Sequence, residues 1–174
     1  FLICREYGIV SDQKTDDMRK QQVSASGQLS RKIAIVTDSG ADLPEEADDL
    51  NIHVVPVRYH FGNIGFIDKV SQSPKEFYEE LKVNPLHPKT SQPTPGDFRR
   101  QYQFLSTHYK SVISIHLSKK LSGTFQSAHT ATMRVPESNT TLIDSLSASV
   151  AQGLIVLYAG ELSEKGVHHD DIVK

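Results

Sequence analysis

A chain of 174 residues can hold one domain with a core large enough to fold unaided, and would cramp two. Lys plus Arg number 19 against 21 for Asp plus Glu, a formal charge of -2 with no block of one sign, which argues against a nucleic-acid-binding footprint. The longest strongly apolar run, 154–159, falls far short of the roughly 20 residues a membrane span needs, and a single cysteine, Cys4, permits no internal disulfide, so cytoplasm is the expected compartment.

The opening FLICREYGI lacks the basic flank and cleavage site of a secretory signal. Together with the helix-like HHDDIVK that closes the chain, it reads as cut from something longer. Residues 11–31 are polar and end in a Ser/Gly-rich stretch, the composition of a linker or the end of an upstream domain, which sets a boundary near Arg31. The β-branched run 33–37 then reads as a strand buried on both faces, with Asp38-Ser39-Gly40 as its turn. Asp42 as cap, Pro44 in a first turn and two acids after it predict a helix to about Leu50. Residues 54–61 are the next strand candidate, at an edge or bulged because of Pro56.

Ser73-Pro74-Lys75-Glu76 is a capping box that opens a helix whose apolar stripe is Phe77, Tyr78 and Leu81. Four prolines in 84–95 predict irregular chain, followed by a helix over 96–109 with Phe98, Tyr102 and Leu105 on its apolar side. Residues 112–117 read as a strand, 124–134 as a helix and Leu142-Ile143 as a last short strand. A helix over 148–164 carries Val150, Leu154, Leu157, Tyr158 and Leu162 at helical spacing and stops at Gly166. Strands alternate with helices, so the expected class is α/β, with a mainly parallel sheet and helices on both faces.

In an open parallel sheet, ligands gather where strands hand over to helices. Three handovers here are rich in hydroxyls: Thr37-Asp38-Ser39, Leu121-Ser122-Gly123-Thr124 and Asp144-Ser145. A fourth cluster, from Thr90 to Gly96, precedes a helix. Helix capping is the ordinary role of such residues. If the clusters converge, their hydroxyls and free main-chain N–H groups suit one anion, carboxylate or phosphate, with each helix dipole adding about 0.3–1 kcal/mol. Gly123 would let the backbone approach closely.

Four phrases, KIAIVTDSGADLP, KTSQPTPGDF, ISIHLSKKLSGTFQSA and LIDSLSASVAQGL, occur in the order and wording of the DegV family, which residues 32 to about 165 resemble. The resemblance implies the amino-terminal lobe of a DegV/dihydroxyacetone-kinase-like fold, with residues 32–174 ending before a carboxyl-terminal domain. It implies a cytoplasmic carrier that is not itself an enzyme. Such a carrier encloses one long-chain fatty acid and presents its carboxylate to a fatty acid kinase (DhaK/DhaL-like) for acyl-phosphate formation. Carried over, the carboxylate contacts fall on Thr90, Ser91, Ser122 and Gly123, with Asp38, Ser39, Asp144 and Ser145 behind them at the same end of the sheet. No metal or other cofactor is implied. Some relatives resemble fusions to an upstream dihydroxyacetone-kinase-like domain, and the linker composition of 11–31 fits such a joint. The sequence departs from the usual wording at Gly40, Lys69 and Ala151-Gln152.

The rival reading is the substrate-binding domain of a dihydroxyacetone- or sugar-type phosphotransfer enzyme, which needs a nucleophilic or base histidine. His116 and His129 flank the LSGT phrase, with a structural role the alternative for each. His168-His169-Asp170-Asp171 lacks ligands spaced to complete a metal site and reads as solvated polar residues. Neither Ser122 nor Ser145 lies in a nucleophile elbow, and Gly62–Gly65 is too short for a dinucleotide fingerprint.

Overall fold

The computed structural model describes residues 33–174. Expectations for 1–31, including the linker and Cys4, lie outside the described residues. Four strands, β1 (Ile33–Asp38), β2 (Ile52–Val55), β6 (Ser111–His116) and β7 (Thr140–Asp144), form a wholly parallel sheet in the order β2-β1-β6-β7. Successive side chains on a strand face opposite ways, and the central strands divide their apolar residues accordingly. Ala34, Val36 and Val112 pack with Phe98, Tyr102 and Leu105 of α2 (Pro95–Ser106) and with Ala128 and Ala131 of α3 (Thr124–Thr132). Ile35, Ile113 and Ile115 pack on the other face with Val156 and Ala159 of α4 (Ser149–Glu164). Helices therefore cover both faces, as expected, and each large apolar side chain buried this way contributes about 1.5–3 kcal/mol.

Pro56 ends β2 instead of bulging one long strand. Beyond it the chain enters a second, antiparallel sheet that the sequence reading missed, in the order β4-β3-β5, with β3 at Arg58–Phe61, β4 at Ile64–Ile67 and β5 at Lys89–Ser91. Gly62, at φ 57, makes the tight turn between β3 and β4, and Phe61 pairs with Ile64. The proline-rich segment is thus not wholly irregular: between its prolines β5 pairs with β3, Tyr59 opposite Thr90 and Arg58 opposite Ser91. Helix α1 (Pro74–Val83) opens on the expected capping box, although Tyr78 of its stripe is exposed.

Two helix expectations need correction. Residues 42–50 form only a short 3-10 turn, Glu45–Asp49, without a side-chain cap. Asp42 is drawn elsewhere: its carboxylate accepts from Ser149 Oγ (2.6 Å) and Lys69 Nζ (2.9 Å), which hold it below the usual carboxylate range. Helix α4 has the expected extent but the opposite face inward. Val150, Leu154 and Tyr158 are 60, 61 and 64 % exposed, whereas Gln152, Gly153, Val156, Ala159, Gly160 and Ser163 are buried. A β-carbon on Gly160 would sit 3.1 Å from side-chain atoms of Ile52 and Leu50, and one on Gly153 would overlap the Asp42 carbonyl. The helix lies so close to the sheet that small residues must face it. His169 of α5 (His169–Ile172) is likewise not a solvated residue, since its ring bridges Ser111 Oγ (2.8 Å) and Thr141 Oγ1 (2.7 Å).

His53 gives the fold an acid limit. Its ring meets Tyr109 edge-on at 5.6 Å, and Nε2 is covered without a hydrogen-bond partner. Burial, helped by repulsion from His108, lowers its pKa to about 4. The unfolded chain binds this proton near pH 6.5 and the folded chain only near 4, so stability present above pH 6.5 is lost as pH falls through that window, by up to roughly 3 kcal/mol. Melting curves between pH 7 and pH 4.5 should show the loss, and His53→Phe should flatten it.

Candidate functional site

The carboxyl ends of β1 and β6 meet at Asp38. Its Oδ2 accepts from His116 Nδ1 (2.9 Å), the Leu117 N–H (3.1 Å) and Gln152 Nε2 (3.3 Å), and its Oδ1 accepts from the Gly40 N–H (3.0 Å). Asp38, His116 and Gln152 are all fully buried. Ser39 is buried too, and its hydroxyl accepts from the Val57 N–H (3.0 Å). Lys69, at φ 59, donates to the carbonyls of Ser39 and Ala41, each at 3.0 Å. Gly40, Lys69 and Gln152 therefore all bear on residues 38–42.

Beside this hub, β6 leads through 117–123 into α3. Ser122 Oγ accepts from the Thr124 N–H (3.2 Å) and pairs with Thr124 Oγ1 (2.9 Å), a local bond just before α3, whose cap position is Gly123. Asp144 Oδ1 ties this loop to the next by accepting from the N–H groups of Lys119 (3.3 Å) and Leu146 (3.0 Å). Ser145 donates its N–H to the His116 carbonyl (3.0 Å) and its hydroxyl to the Ser147 carbonyl (3.1 Å). These bonds engage Asp38, Ser39, Asp144 and Ser145 within the protein.

The TSQP phrase arrives from the second sheet. Arg58 on β3 forms a two-pronged ion pair with Asp97 in the first turn of α2, at 2.7 and 3.1 Å. Burial alone would raise the Asp97 carboxyl, but Arg58 and the hydroxyl and N–H of Thr94 hold it far below the usual range. This clamp fixes both ends of the segment between β5 and α2. Within that segment Gln92 donates to Ser127 Oγ of α3 at 3.1 Å. Its amide lies against Gly123, where a β-carbon would come within 2.8 Å of Gln92 Cδ. The two phrases are thus in contact through Gln92 and Gly123. Thr90 and Ser91 lie exposed immediately before that contact. As neighbours on a strand they point to opposite faces.

An open depression of about 480 Å³ beside this contact is lined by Lys119, Ser122, Gly123, Phe125, Gln126 and His129. Lys119 Nζ stands 3.7 Å from Asp144 Oδ2 and 5.9 Å from the centroid of the Phe125 ring. The sequence reading singled out neither Gln92 nor Lys119; a long amide inside a hydroxyl cluster and a cation shortly before a helix start were the available signals. His116 has both ring nitrogens engaged, on Asp38 and on Ser114 Oγ (2.8 Å), so its role is structural. Among the described residues no cluster of three metal-ligating side chains occurs, and no helix is long and apolar enough to cross a membrane.

A family profile described as "Uncharacterised protein, DegV family" matches residues 32–174. The chain belongs to the DegV family. A DegV domain-containing protein of Staphylococcus aureus (strain MRSA252) is 40% identical over 144 residues, which are 82% of this chain and 51% of that relative. The chain thus spans about half the length of the curated relatives it matches. Among solved structures, "DegV, a fatty acid binding protein from Bacillus subtilis" superposes with a TM-score of 0.75 at 38% identity, covering 83% of this chain and 52% of that one. A DegV family protein from Thermus thermophilus, described for its fatty acid binding, gives 0.74 at 36% identity and covers 82% and 51%. The parallel sheet with helices on both faces is the DegV α/β lobe.

Proposed function

We propose that this lobe binds a long-chain fatty acid by its carboxylate and presents it to a fatty acid kinase, without catalysing the phosphoryl transfer itself. The observation that carries the reading is the seating of Gln92 on Gly123, which brings the TSQP and LSGT phrases into one place. The fatty acids named for the Bacillus and Thermus relatives support the ligand class. A carboxylate leaving water must recover its hydrogen bonds or take up a proton. Ser122, the start of α3 at Gly123, and the Thr90-Ser91 pair supply hydroxyls and N–H groups within this one region. Because Thr90 and Ser91 face opposite ways, one offers its hydroxyl and the other its main chain. Each methylene buried adds about 0.8 kcal/mol, so the acyl chain supplies most of the affinity and the head group sets orientation.

Lipid extraction and mass spectrometry of the protein purified from cells should yield a co-purified C16 to C18 acid. A small polyol adduct would instead favour the phosphotransfer reading, for which His129, which lines the depression, is the candidate base. Ser122→Ala should weaken fatty-acid binding about 10-fold or more, the worth of one hydrogen bond to a charged group. Unchanged binding and unchanged kinase-dependent phosphorylation would remove Ser122 from the site.

A further inference from the structure

Behind the site runs a buried hydrogen-bond chain. Tyr102 OH lies 2.8 Å from Ser114 Oγ, Ser114 Oγ lies 2.8 Å from His116 Nε2, and His116 Nδ1 lies 2.9 Å from Asp38 Oδ2. All four residues are fully buried. Donor accounting gives the chain one direction. Burial pushes the Tyr102 phenol well above its ordinary value, only partly opposed by its bond to Ser114, so the phenol keeps its proton. Among the described residues the phenol's one hydrogen-bond partner is Ser114. Tyr102 therefore donates to Ser114, Ser114 donates to His116 Nε2, and His116 donates from Nδ1 to Asp38. The reverse order would strand the phenol proton and set a bare nitrogen against a carboxylate, leaving buried polar groups unpaired.

We propose that Asp38 and His116 are positioning residues, which through this one-way chain hold the 117–123 loop in the geometry that presents Ser122 and Gly123. Asp38 Oδ2, oriented by His116, receives the Leu117 N–H, the first donor of that loop. From there the Ser118 N–H reaches the Ser147 carbonyl (2.8 Å), and the Ser118 carbonyl accepts from the N–H groups of Leu121 (2.8 Å) and Ser122 (3.2 Å). Tyr102 lies on α2, the helix that begins directly after the TSQP segment, so both phrases are referred to one buried frame. The proposal rests on the fatty-acid reading only for its affinity readout.

Nitrogen-15 NMR of the imidazoles in the wild-type protein should show His116 protonated at Nδ1 and accepting at Nε2; the opposite tautomer would overturn the proposal without any variant. His116→Leu, of similar volume but without a donor, should shift the amide signals of Gly40, Leu117, Ser122 and Gly123 and weaken palmitate binding at least 10-fold. His116→Asn, whose amide nitrogen can replace Nδ1, should restore the signals and most of the affinity. Unmoved Ser122 and Gly123 amides in a folded His116→Leu protein, or a failure of His116→Asn to restore them, would refute the positioning role. A wild-type protein that binds no palmitate would sink the lipid reading and leave the amide signals to decide this one.

Discussion

Replacing Gly123 by alanine is expected to weaken fatty-acid binding by about tenfold or more, roughly the loss of one charge-assisted hydrogen bond, while leaving the melting temperature nearly unchanged. Gly123 sits at φ -77, which alanine adopts without strain, so the backbone of α3 has no reason to move. The added β-carbon meets the amide of Gln92 instead. Gln92 is exposed and flexible, so it can swing away at little cost to the fold, but in doing so it gives up Ser127 and the contact that joins the two phrases. Fluorescent fatty-acid titration alongside thermal melting separates the outcomes. Full affinity in the alanine variant would mean that the junction does not shape the head-group site.

The opposite pattern is expected for Gly153→Ala, a loss of stability rather than of a contact at the site. Its β-carbon would overlap the Asp42 carbonyl and come within 3.1 Å of the carbonyl carbon. Asp42 cannot easily retreat, because its N–H donates to the Ser149 carbonyl (3.3 Å) and its carboxylate is held by Lys69 and Ser149. Overpacking of this kind costs about 1–3 kcal/mol, and the better helix propensity of alanine returns at most about 1 of it. For a domain of this size, a net loss of about 2 kcal/mol lowers Tm by roughly 4–8 °C. A Tm at or above wild type would show that α4 can lift away from residues 40–42.

The same closeness explains what the sequence concealed. Strands β1 and β6 were legible because apolar runs of strand length have few other uses, β7 showed only through its central Leu142-Ile143 pair, and the capping box at Ser73 was legible because its partners are local. In α4 the bulky apolar residues promised an inward face, yet the helix runs so close to its neighbours at Gly153 and Gly160 that a β-carbon is crowded there, and the inward face combines these glycines and Ala159 with Gln152 and Val156. The second sheet was hidden because β5 is three residues between prolines, held by pairing with β3 about thirty residues earlier. Of the candidate site, Ser122 and Gly123 could be picked out from a turn before a helix and from family wording. That Gln92 joins them to Thr90 and Ser91 depends on the Arg58–Asp97 clamp, a contact across 39 residues that no local pattern announces.

A crystal structure of the protein grown with palmitate would test the head-group assignment most directly. The carboxylate should lie within hydrogen-bonding distance, about 3.2 Å or less, of Ser122 Oγ and the N–H groups that open α3, with Thr90 or Ser91 completing the ring. A carboxylate found on another face of the lobe, with Ser122 still bonded only to Thr124, would contradict it.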